Sequence, residues 1–243
     1  MRALTRLSLV SLLSVVAASA PDAQTPPRGA LFPTRFTIAG DLLVAQPKGE
    51  FGSNVDNGFG GNVVFTYKLD PAGVFSLRGD LGAMQYGSET KRVPFLPYTG
   101  RVLLDVTTSN NVFWGAIGPQ MQLMTTGPVR PYVNGGVGFQ AFVTKSALSG
   151  SNKSWNYAST TNSDDVTLAY MVGGGLYIPL GKTPTSASLN VGARYHFGGN
   201  AKYLREGDII DNPDGTITLN PRFSKTDVVM WQLGISVPIP TRR

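Results

Sequence analysis

Apolar and polar residues alternate along most of the chain, and the last alternating stretch, Thr226 to Ile239, is the most regular. Its apolar positions fall on every second residue: Val229, Trp231, Leu233, Ile235, Val237 and Ile239. A period of two is typical of a β-strand with one apolar face. The stretch also exceeds the roughly 9–11 residues that a strand needs to cross a bilayer. Taken alone, it also fits an edge strand of a soluble β-sandwich.

Seven earlier segments carry the same period, so the sequence predicts eight strands and an all-β fold. The apolar positions of the first three are Phe36, Ile38, Leu42 and Val44; Phe59, Val63, Phe65, Tyr67 and Leu69; and Phe75, Leu77, Leu81 and Ala83. The fourth and fifth carry Phe113, Ile117, Met121 and Leu123, then Val133, Val137, Phe139, Ala141 and Val143. The sixth and seventh carry Val166, Leu168, Tyr170, Val172, Leu176 and Ile178, then Ala187, Leu189, Val191, Ala193, Tyr195 and Phe197. No helical period competes with them after the N-terminal region.

The connections between these segments alternate in length. Short connections rich in Pro or Gly occur at 70–73, 124–130 and 181–186, and long ones at 45–57, 87–111, 145–163 and 198–225. Short turns at one end and long loops at the other are typical of outer-membrane barrels, in which the short turns are periplasmic and the long loops extracellular. The sequence therefore predicts an eight-stranded antiparallel up-and-down transmembrane β-barrel with both termini on the periplasmic side.

Residues 101–108 also alternate, but in the opposite phase to Phe113 and Ile117. We interpret them as an extension of the fourth strand beyond the membrane, with a β-bulge near Ser109, Asn110 and Asn111 that changes the phase. If they formed a separate strand, the barrel would have nine strands and its termini would lie on opposite sides.

The apolar face of the eight strands carries no charged residue, whereas the opposite face is rich in Gly, Ser, Asn and Gln. In a soluble lipocalin-like barrel the apolar face would point inward. An eight-stranded barrel, however, is only wide enough for side chains to fill it, and these bulky residues are too many. We therefore expect the apolar face to contact lipid, where each charge would cost roughly 2–4 kcal/mol at mid-membrane. Aromatic residues near strand ends would form the interfacial girdles.

The N-terminal region has the features of a secretory signal. Residues 1–23 contain Arg2 and Arg6, an apolar run and an Ala-rich end, with cleavage after Ala18, Ala20 or Ala23. Residues 24–34 form a short Pro-rich lead-in and residues 35–243 the barrel. Cysteine is absent, so disulfides are excluded, and the net charge of +6 falls to about +4 once Arg2 and Arg6 leave. This scattered charge does not favour nucleic-acid binding.

Near the C-terminus, Gln232, Gly234, Val237 and Ile239 follow the order polar, Gly, apolar, apolar. This order resembles the insertion signal of bacterial outer-membrane barrels, although residues 240–243 follow it in place of a terminal aromatic residue. Together with the strand pattern, the chain resembles small eight-stranded outer-membrane barrels such as the OmpA membrane domain and the OmpW-like proteins. The resemblance implies an outer-membrane location, contact with outer-membrane lipid and lipopolysaccharide, handling by the barrel assembly machinery, and no cofactor.

Candidate functional residues are the charges predicted to face the barrel interior. They are Asp41, Lys68, Arg78, Asp80 and Arg194, with His196 toward the extracellular end of the seventh strand. A buried charge must be paired, so we expect a salt-bridge network that fills the lumen. Arg78 and Asp80 lie about 6.6 Å apart along one strand, so each is expected to pair mainly with a neighbouring strand. The alternative is a gate in which Arg78 or Arg194 changes partner and opens a narrow conductance.

Catalysis and metal binding find less support in the sequence. Some outer-membrane barrels are lipid A hydrolases with His and Ser two residues apart, but Gly198 holds that position after His196. Ser188, on the same face, is about 26 Å away along the strand, out of hydrogen-bond reach. In the last long loop, the Asn212–Gly215 segment favours a β-turn over a cation site.

Three classes of function therefore remain. The first is a non-enzymatic structural or surface-interaction barrel whose loops bind an unknown extracellular ligand. The second is a narrow channel or a conduit for hydrophobic small molecules, as in the OmpW type, and the third is an enzyme on a barrel scaffold. The filled interior favours the first.

Overall fold

The computed structural model describes residues 34–94, 103–149, 156–183, 185–212 and 216–240. The predicted signal at 1–23 and the lead-in up to residue 33 lie outside the described residues. No helix in the described ranges is long and apolar enough to cross a bilayer.

Eight long strands form one closed ring. They are β1 (Phe36–Pro47), β2 (Gly58–Lys68), β3 (Phe75–Pro94), β4 (Leu103–Gln122), β5 (Arg130–Ser149), β6 (Asn156–Pro179), β7 (Ser188–Gly198) and β12 (Val228–Ile239). The smaller elements are α1 (Gly49–Asn54), β8 (Asn200–Tyr203), β9 (Ile209–Asp211), β10 (Ile217–Leu219) and β11 (Arg222–Lys225).

Every neighbouring pair in the ring is antiparallel, in the order β1-β12-β7-β6-β5-β4-β3-β2. The first and last strands close it, with Phe36 opposite Ile239 and Pro47 opposite Val228. Closure leaves no ring strand with an unpaired edge at membrane depth, which a bilayer requires because it offers backbone groups no water. The predicted eight-stranded up-and-down barrel is thus confirmed.

The predicted assignment of the two strand faces is also confirmed. Large apolar side chains at the expected positions point out of the barrel, and Leu81 and Leu233 remain 57% and 53% exposed. Residues between them, such as Asp80 and Gln232, are buried inside. An apolar belt of this kind is stable against lipid and not against water.

The central strands extend beyond the membrane-sized part of the barrel, since β3, β4 and β5 have 20 residues each and β6 has 24. Strand β4 is continuous from Leu103, so the prediction that residues 101–108 extend the fourth strand is confirmed for its described part. The predicted bulge at Ser109–Asn111 is wrong. The shift lies in the opposite strand β3, between Gln85 and Gly87, while β4 keeps an unbroken register with β5. The change of phase along β4 predicted a bulge near this position, but the extra residue, Tyr86, lies on the paired strand β3.

Helix α1 was not expected, because its six residues are too few to show a helical period. It lies between β1 and β2 at the long-loop end and buries Phe51 completely. Gly49 precedes this phenylalanine with φ +57°, a left-handed conformation that side-chain-bearing residues rarely adopt.

The turns at the opposite end are tight. In the turn between β2 and β3, Gly73 has φ +74° and donates its N–H to the Asp70 carbonyl oxygen at 3.1 Å. The Asp70 carboxylate accepts the N–H groups of Val74 and Phe75, and the hydrogen bond from Phe75 holds the pKa of this carboxyl below its usual value. In the last long loop, β9 and β10 form the expected hairpin, whose turn residues 213–215 lie outside the described residues.

Candidate functional site in the barrel lumen

Three charged side chains meet inside the lumen. Arg78 donates from Nε and Nη2 to the Asp80 carboxylate at 2.8–3.1 Å, and Arg194 Nη1 lies 2.7 Å from Asp80 Oδ1. The three are only 1%, 2% and 3% exposed. Strands β3 and β7 lie on opposite sides of the ring, so this ion cluster spans the lumen. The remaining Arg78 nitrogen, Nη1, donates to Gln120 Oε1 at 3.0 Å.

The expectation that Arg78 and Asp80 each pair mainly with a neighbouring strand is wrong for both, since the partners of Asp80 lie on β3 itself and on the opposite strand β7. The Arg78 guanidinium folds back onto Asp80 of the same strand, because the long arginine side chain spans the two-residue repeat. Asp80 does pair across the barrel, and it is shared by two arginines that would otherwise repel each other.

A second set of hydrogen bonds lies beside this cluster. Asn190 Nδ2 donates to Asp41 Oδ1 at 2.7 Å, and the Tyr132 hydroxyl donates to Asn190 Oδ1 at 2.8 Å. Gln232 Nε2 in turn donates to the Tyr132 hydroxyl at 2.8 Å. Tyr132 also has the Arg78 guanidinium 5.8 Å from its ring centre, so the two sets are connected. We call Asp41, Arg78, Asp80, Tyr132, Asn190 and Arg194 the inner network.

Lys68 is not part of the inner network. It lies at the end of β2 by the short turns, where its Nζ donates to Thr34 Oγ1 at 3.4 Å. His196 also lies outside it: the ring is fully buried, its Nδ1 is 3.4 Å from Gln140 Nε2, and it packs edge-on to Trp114 with ring centres 5.8 Å apart. Of the six predicted lumen residues, the structure brings four together.

The long-loop end of the lumen contains packed apolar side chains that were not predicted from the sequence. Phe51 of α1 packs edge-on against Tyr86, Phe142 and Tyr203, with ring centres 4.9–5.7 Å apart. Leu204 is also fully buried. We call these five residues the outer plug. Strand β3 fixes the order of the two layers, since Arg78 lies near its short-turn start and Tyr86 eight residues further along.

Apolar residues at inward positions were the available signal for this layer. Met84, Val112, Trp114 and Phe142 all lie on the face between the lipid-facing residues. The prediction for that face rested on its Gly, Ser, Asn and Gln residues and did not include a separate apolar layer.

Several polar atoms around the inner network are buried without a hydrogen-bond partner among the described residues. They include Asp41 Oδ2, Asn62 Oδ1, Gln232 Oε1 and both side-chain polar atoms of Asn134. Such atoms usually bind ordered water, because an unpaired buried polar group costs about 1–3 kcal/mol. The region of the inner network therefore has polar atoms available to bind water, whereas none of the unpaired atoms found among the described residues belongs to the outer plug.

The four residues of the predicted insertion signal divide between the two faces of β12. Gln232 is buried and bonded to Tyr132, whereas Val237 and Ile239 face outward. Gly234 faces Asp41 across the closing seam, and a Cβ there would collide with the Gly40 carbonyl oxygen and the Asp41 side chain. The glycine is therefore required for closure.

Within the described ranges, no group of three or more His, Cys, Asp or Glu side chains is arranged to hold a metal ion. The chemistry that the lumen offers is charge pairing and hydrogen bonding across a narrow section.

A closed eight-stranded ring with an apolar exterior and a charged, packed interior defines an integral barrel of the bacterial outer membrane. The family model of the outer membrane protein beta-barrel domain matches residues 8–223, and the chain belongs to this family. The comparison with curated proteins found no match.

Solved structures with a similar fold include a major outer membrane protein from Thermus thermophilus (11% identity, TM-score 0.49, covering 84% of this chain and 99% of that one). They also include Ail, the attachment invasion locus protein of Yersinia pestis (14%, 0.45, 84% and 97%), and neisserial surface protein A (14%, 0.44, 84% and 97%). At these identities and scores the neighbours do not inform function.

Proposed function

We propose that this protein is a non-enzymatic outer-membrane barrel with a sealed lumen, serving a structural or surface-interaction role through its extracellular loops. The observation that carries the proposal is the presence of two different closures in series along one lumen. The inner network joins opposite walls through Asp80, and the outer plug fills the mouth with aromatic rings.

The extracellular end supports the surface role. The strands from β3 to β6 continue well past the apolar belt, and their ends carry exposed polar residues such as Ser159, Thr160 and Thr161. Rigid strands that carry loops into the medium are suited to binding, because the scaffold positions the contact residues. An extracellular ligand is therefore part of the proposal, together with lipopolysaccharide around the barrel.

The surroundings of His196 support a non-enzymatic role. A general base needs a nucleophile or substrate within hydrogen-bond reach. His196 is fully buried between Trp114 and Gln140, with a Thr226 hydroxyl donating to Gln140 at 3.3 Å. This arrangement is that of a packed interior residue.

We also propose that Gln232, Gly234, Val237 and Ile239 form the insertion signal that the barrel assembly machinery recognises. The outward Val237 and Ile239 are accessible from the lipid side, whereas Gln232 and Gly234 also have structural roles inside. A recognition role thus depends on the two apolar residues more than on the other two.

Single-channel recording of the refolded protein in planar bilayers tests the sealed lumen. We expect no steady conductance from the wild type. A steady wild-type conductance would contradict the seal and favour the narrow channel, in which Arg78 or Arg194 acts as the gate. The unpaired polar atoms beside the inner network are the observation that favours this second function.

A further inference from the structure

A cavity of about 210 Å³ opens beside the outer plug at the extracellular end. Its walls come from the segment after α1, from β3 and β4, and from the last loop. Its lining includes Asp56, Tyr86, Gly87, Asn110, Arg205 and Glu206. The site uses none of the charged residues of the inner network.

The bulge in β3 lies in the wall of this cavity. The register shift between Gln85 and Gly87 places Tyr86 and Gly87 next to each other on the inner side of the wall. Gly87 leaves the space that a side chain would fill, since a Cβ there would lie 3.1 Å from Asn110 Nδ2 and 3.5 Å from Glu206 Cγ. Bulges commonly redirect side chains beside functional sites.

The walls of the cavity are held in place before any ligand arrives. Asn110 is 1% exposed and its Oδ1 accepts a hydrogen bond from Thr144 Oγ1 at 2.7 Å. The Tyr86 hydroxyl donates to the Leu204 carbonyl oxygen at 2.9 Å, and Glu206 Oε1 accepts the Ser88 N–H at 2.8 Å. Fixed polar groups lower the entropy that binding costs.

The chemistry of the lining defines the class of ligand. Amide, carboxylate and guanidinium groups line the cavity together with Tyr86, so the cavity offers both hydrogen-bond donors and acceptors. Asp56 and Glu206 outnumber Arg205, which disfavours anions. The volume is below the roughly 300–1,000 Å³ of sites for drug-sized ligands. Hydroxyl groups both donate and accept, so a small ring bearing several of them matches this lining.

We propose that this cavity binds a single sugar ring, neutral or amino-substituted, at the end of an extracellular glycan. The proposal rests on the surface role proposed above and names the ligand class for it. The sugar would lie over Tyr86 and Gly87, with its hydroxyls bonded to Asn110, Asp56 and Glu206.

Saturation-transfer NMR on the full-length mature protein in phospholipid nanodiscs tests the proposal. Alkyl glycoside detergents must be absent, because their headgroups are sugars. The probes are methyl β-glucopyranoside, methyl β-galactopyranoside, glucosamine and glucose 6-phosphate. We expect transfer to at least one neutral or amino sugar and none to the phosphate.

Two glycine variants make a matched pair. Gly87→Val fills the cavity and should weaken binding by roughly tenfold or more. Gly40→Val makes the same change on a lipid-facing strand position where a Cβ meets no atom within 4 Å, and it should leave binding unchanged. Asp56→Ala, an exposed substitution that does not disturb a strand, should weaken glucosamine binding and keeps the test valid if Gly87→Val does not fold.

Three outcomes would overturn the proposal: no transfer to any neutral or amino sugar, transfer that Gly87→Val or Asp56→Ala leaves unchanged, or preference for the phosphorylated sugar. If the protein binds no sugar and shows no conductance, the result contradicts the sugar site and leaves the sealed lumen unaffected. A steady wild-type conductance, in contrast, contradicts the sealed barrel whatever the sugar result.

Discussion

The outer plug and the inner network occupy the same lumen and are held together by different physical means. The plug consists of packed apolar surface, and Phe51 contributes without any hydrogen bond from its side chain. The inner network depends on charge and on the direction of its hydrogen bonds, and Asp80 pairs with both Arg78 and Arg194. Removal of apolar surface weakens a seal gradually, whereas removal of one charge leaves its partners buried and unpaired.

The difference also appears in what each closure tolerates. Apolar packing accepts substitutions of similar volume, usually at a cost below about 1.5 kcal/mol. The inner network accepts few substitutions, because each member satisfies a named atom of another. The two closures should therefore respond differently to single changes.

The largest effect is expected for Asp80→Asn. The amide cannot neutralise Arg78 and Arg194, so two guanidinium groups would remain buried without a carboxylate between them. We expect a loss of about 3–5 kcal/mol in the free energy of unfolding. Urea-induced unfolding in lipid vesicles measures it.

The matched control for this substitution is Asp164→Asn, which removes the same charge from an exposed position on β6. It should leave the unfolding curve within about 0.5 kcal/mol of the wild type. Equal stability of the two variants would show that the ion cluster does not hold the barrel together.

The outer plug is broken by Phe51→Ala. The substitution removes a buried ring, whose burial contributes about 1.5–3 kcal/mol, and the free energy of unfolding should fall by that amount. The control is Phe223→Ala, at a residue that is already 63% exposed. Planar-bilayer recording should still show no steady conductance, because the inner network remains closed. Combined with Asp80→Asn, the same substitution should produce steady openings. Steady conductance from Phe51→Ala alone would mean that the inner network does not seal.

Substitutions on the two faces of β12 should differ in their cost, and the one that faces the interior should cost less. Leu233→Arg places a charge in lipid and should cost roughly 2–4 kcal/mol, whereas Gln232→Ser should be tolerated in assembly. The serine still loses the hydrogen bond to Tyr132, which costs about 0.5–1.5 kcal/mol. The shift in mobility between boiled and unboiled SDS samples reports assembly. If both variants assemble equally well, the register of β12 is wrong.

The smallest effect concerns pH at the short-turn end. The backbone hydrogen bonds hold the pKa of Asp70 below its usual 3.8, so this carboxylate stabilises the fold above that value and loses its contribution as the pH falls through the lower folded-state pKa. The difference in Tm between the wild type and Asp70→Ala should therefore shrink from about pH 5 toward pH 2. A difference that stays constant over this range would exclude ionised Asp70 as its cause.

The sequence predicted the lipid face well because one physical requirement governs it. A residue that contacts lipid, such as Leu233, must be apolar. The two-residue period therefore shows which residues contact lipid, without knowledge of which strands pair. The inside of the barrel is different. Whether Arg78 folds back onto Asp80 or reaches a neighbouring strand depends on rotamers, and spacing along the strand does not determine them.

Other parts of the candidate site had signals too short or too ambiguous for sequence analysis. Six residues of α1 cannot display a helical period, so Phe51 was not recognised as a plug. The bulge was expected in β4 because residues 101–108 alternate in the opposite phase to Phe113 and Ile117, whereas the extra residue lies in β3. Lys68 was predicted to join the inner network because it lies on the inward face of its strand. Its position along the barrel axis, however, places it beside Thr34 at the short-turn end.

The closing pair β1 and β12 joins the two ends of the barrel sequence, and this has a consequence for the order of folding. Phe51 lies near the start of the barrel sequence, but its partners Phe142 and Tyr203 lie far along the chain from it. Contacts of such large sequence separation form late, because loop closure must come first. Phe51 is thus made early and should reach its partners late, so the mouth of the barrel should be the last part of the lumen to pack.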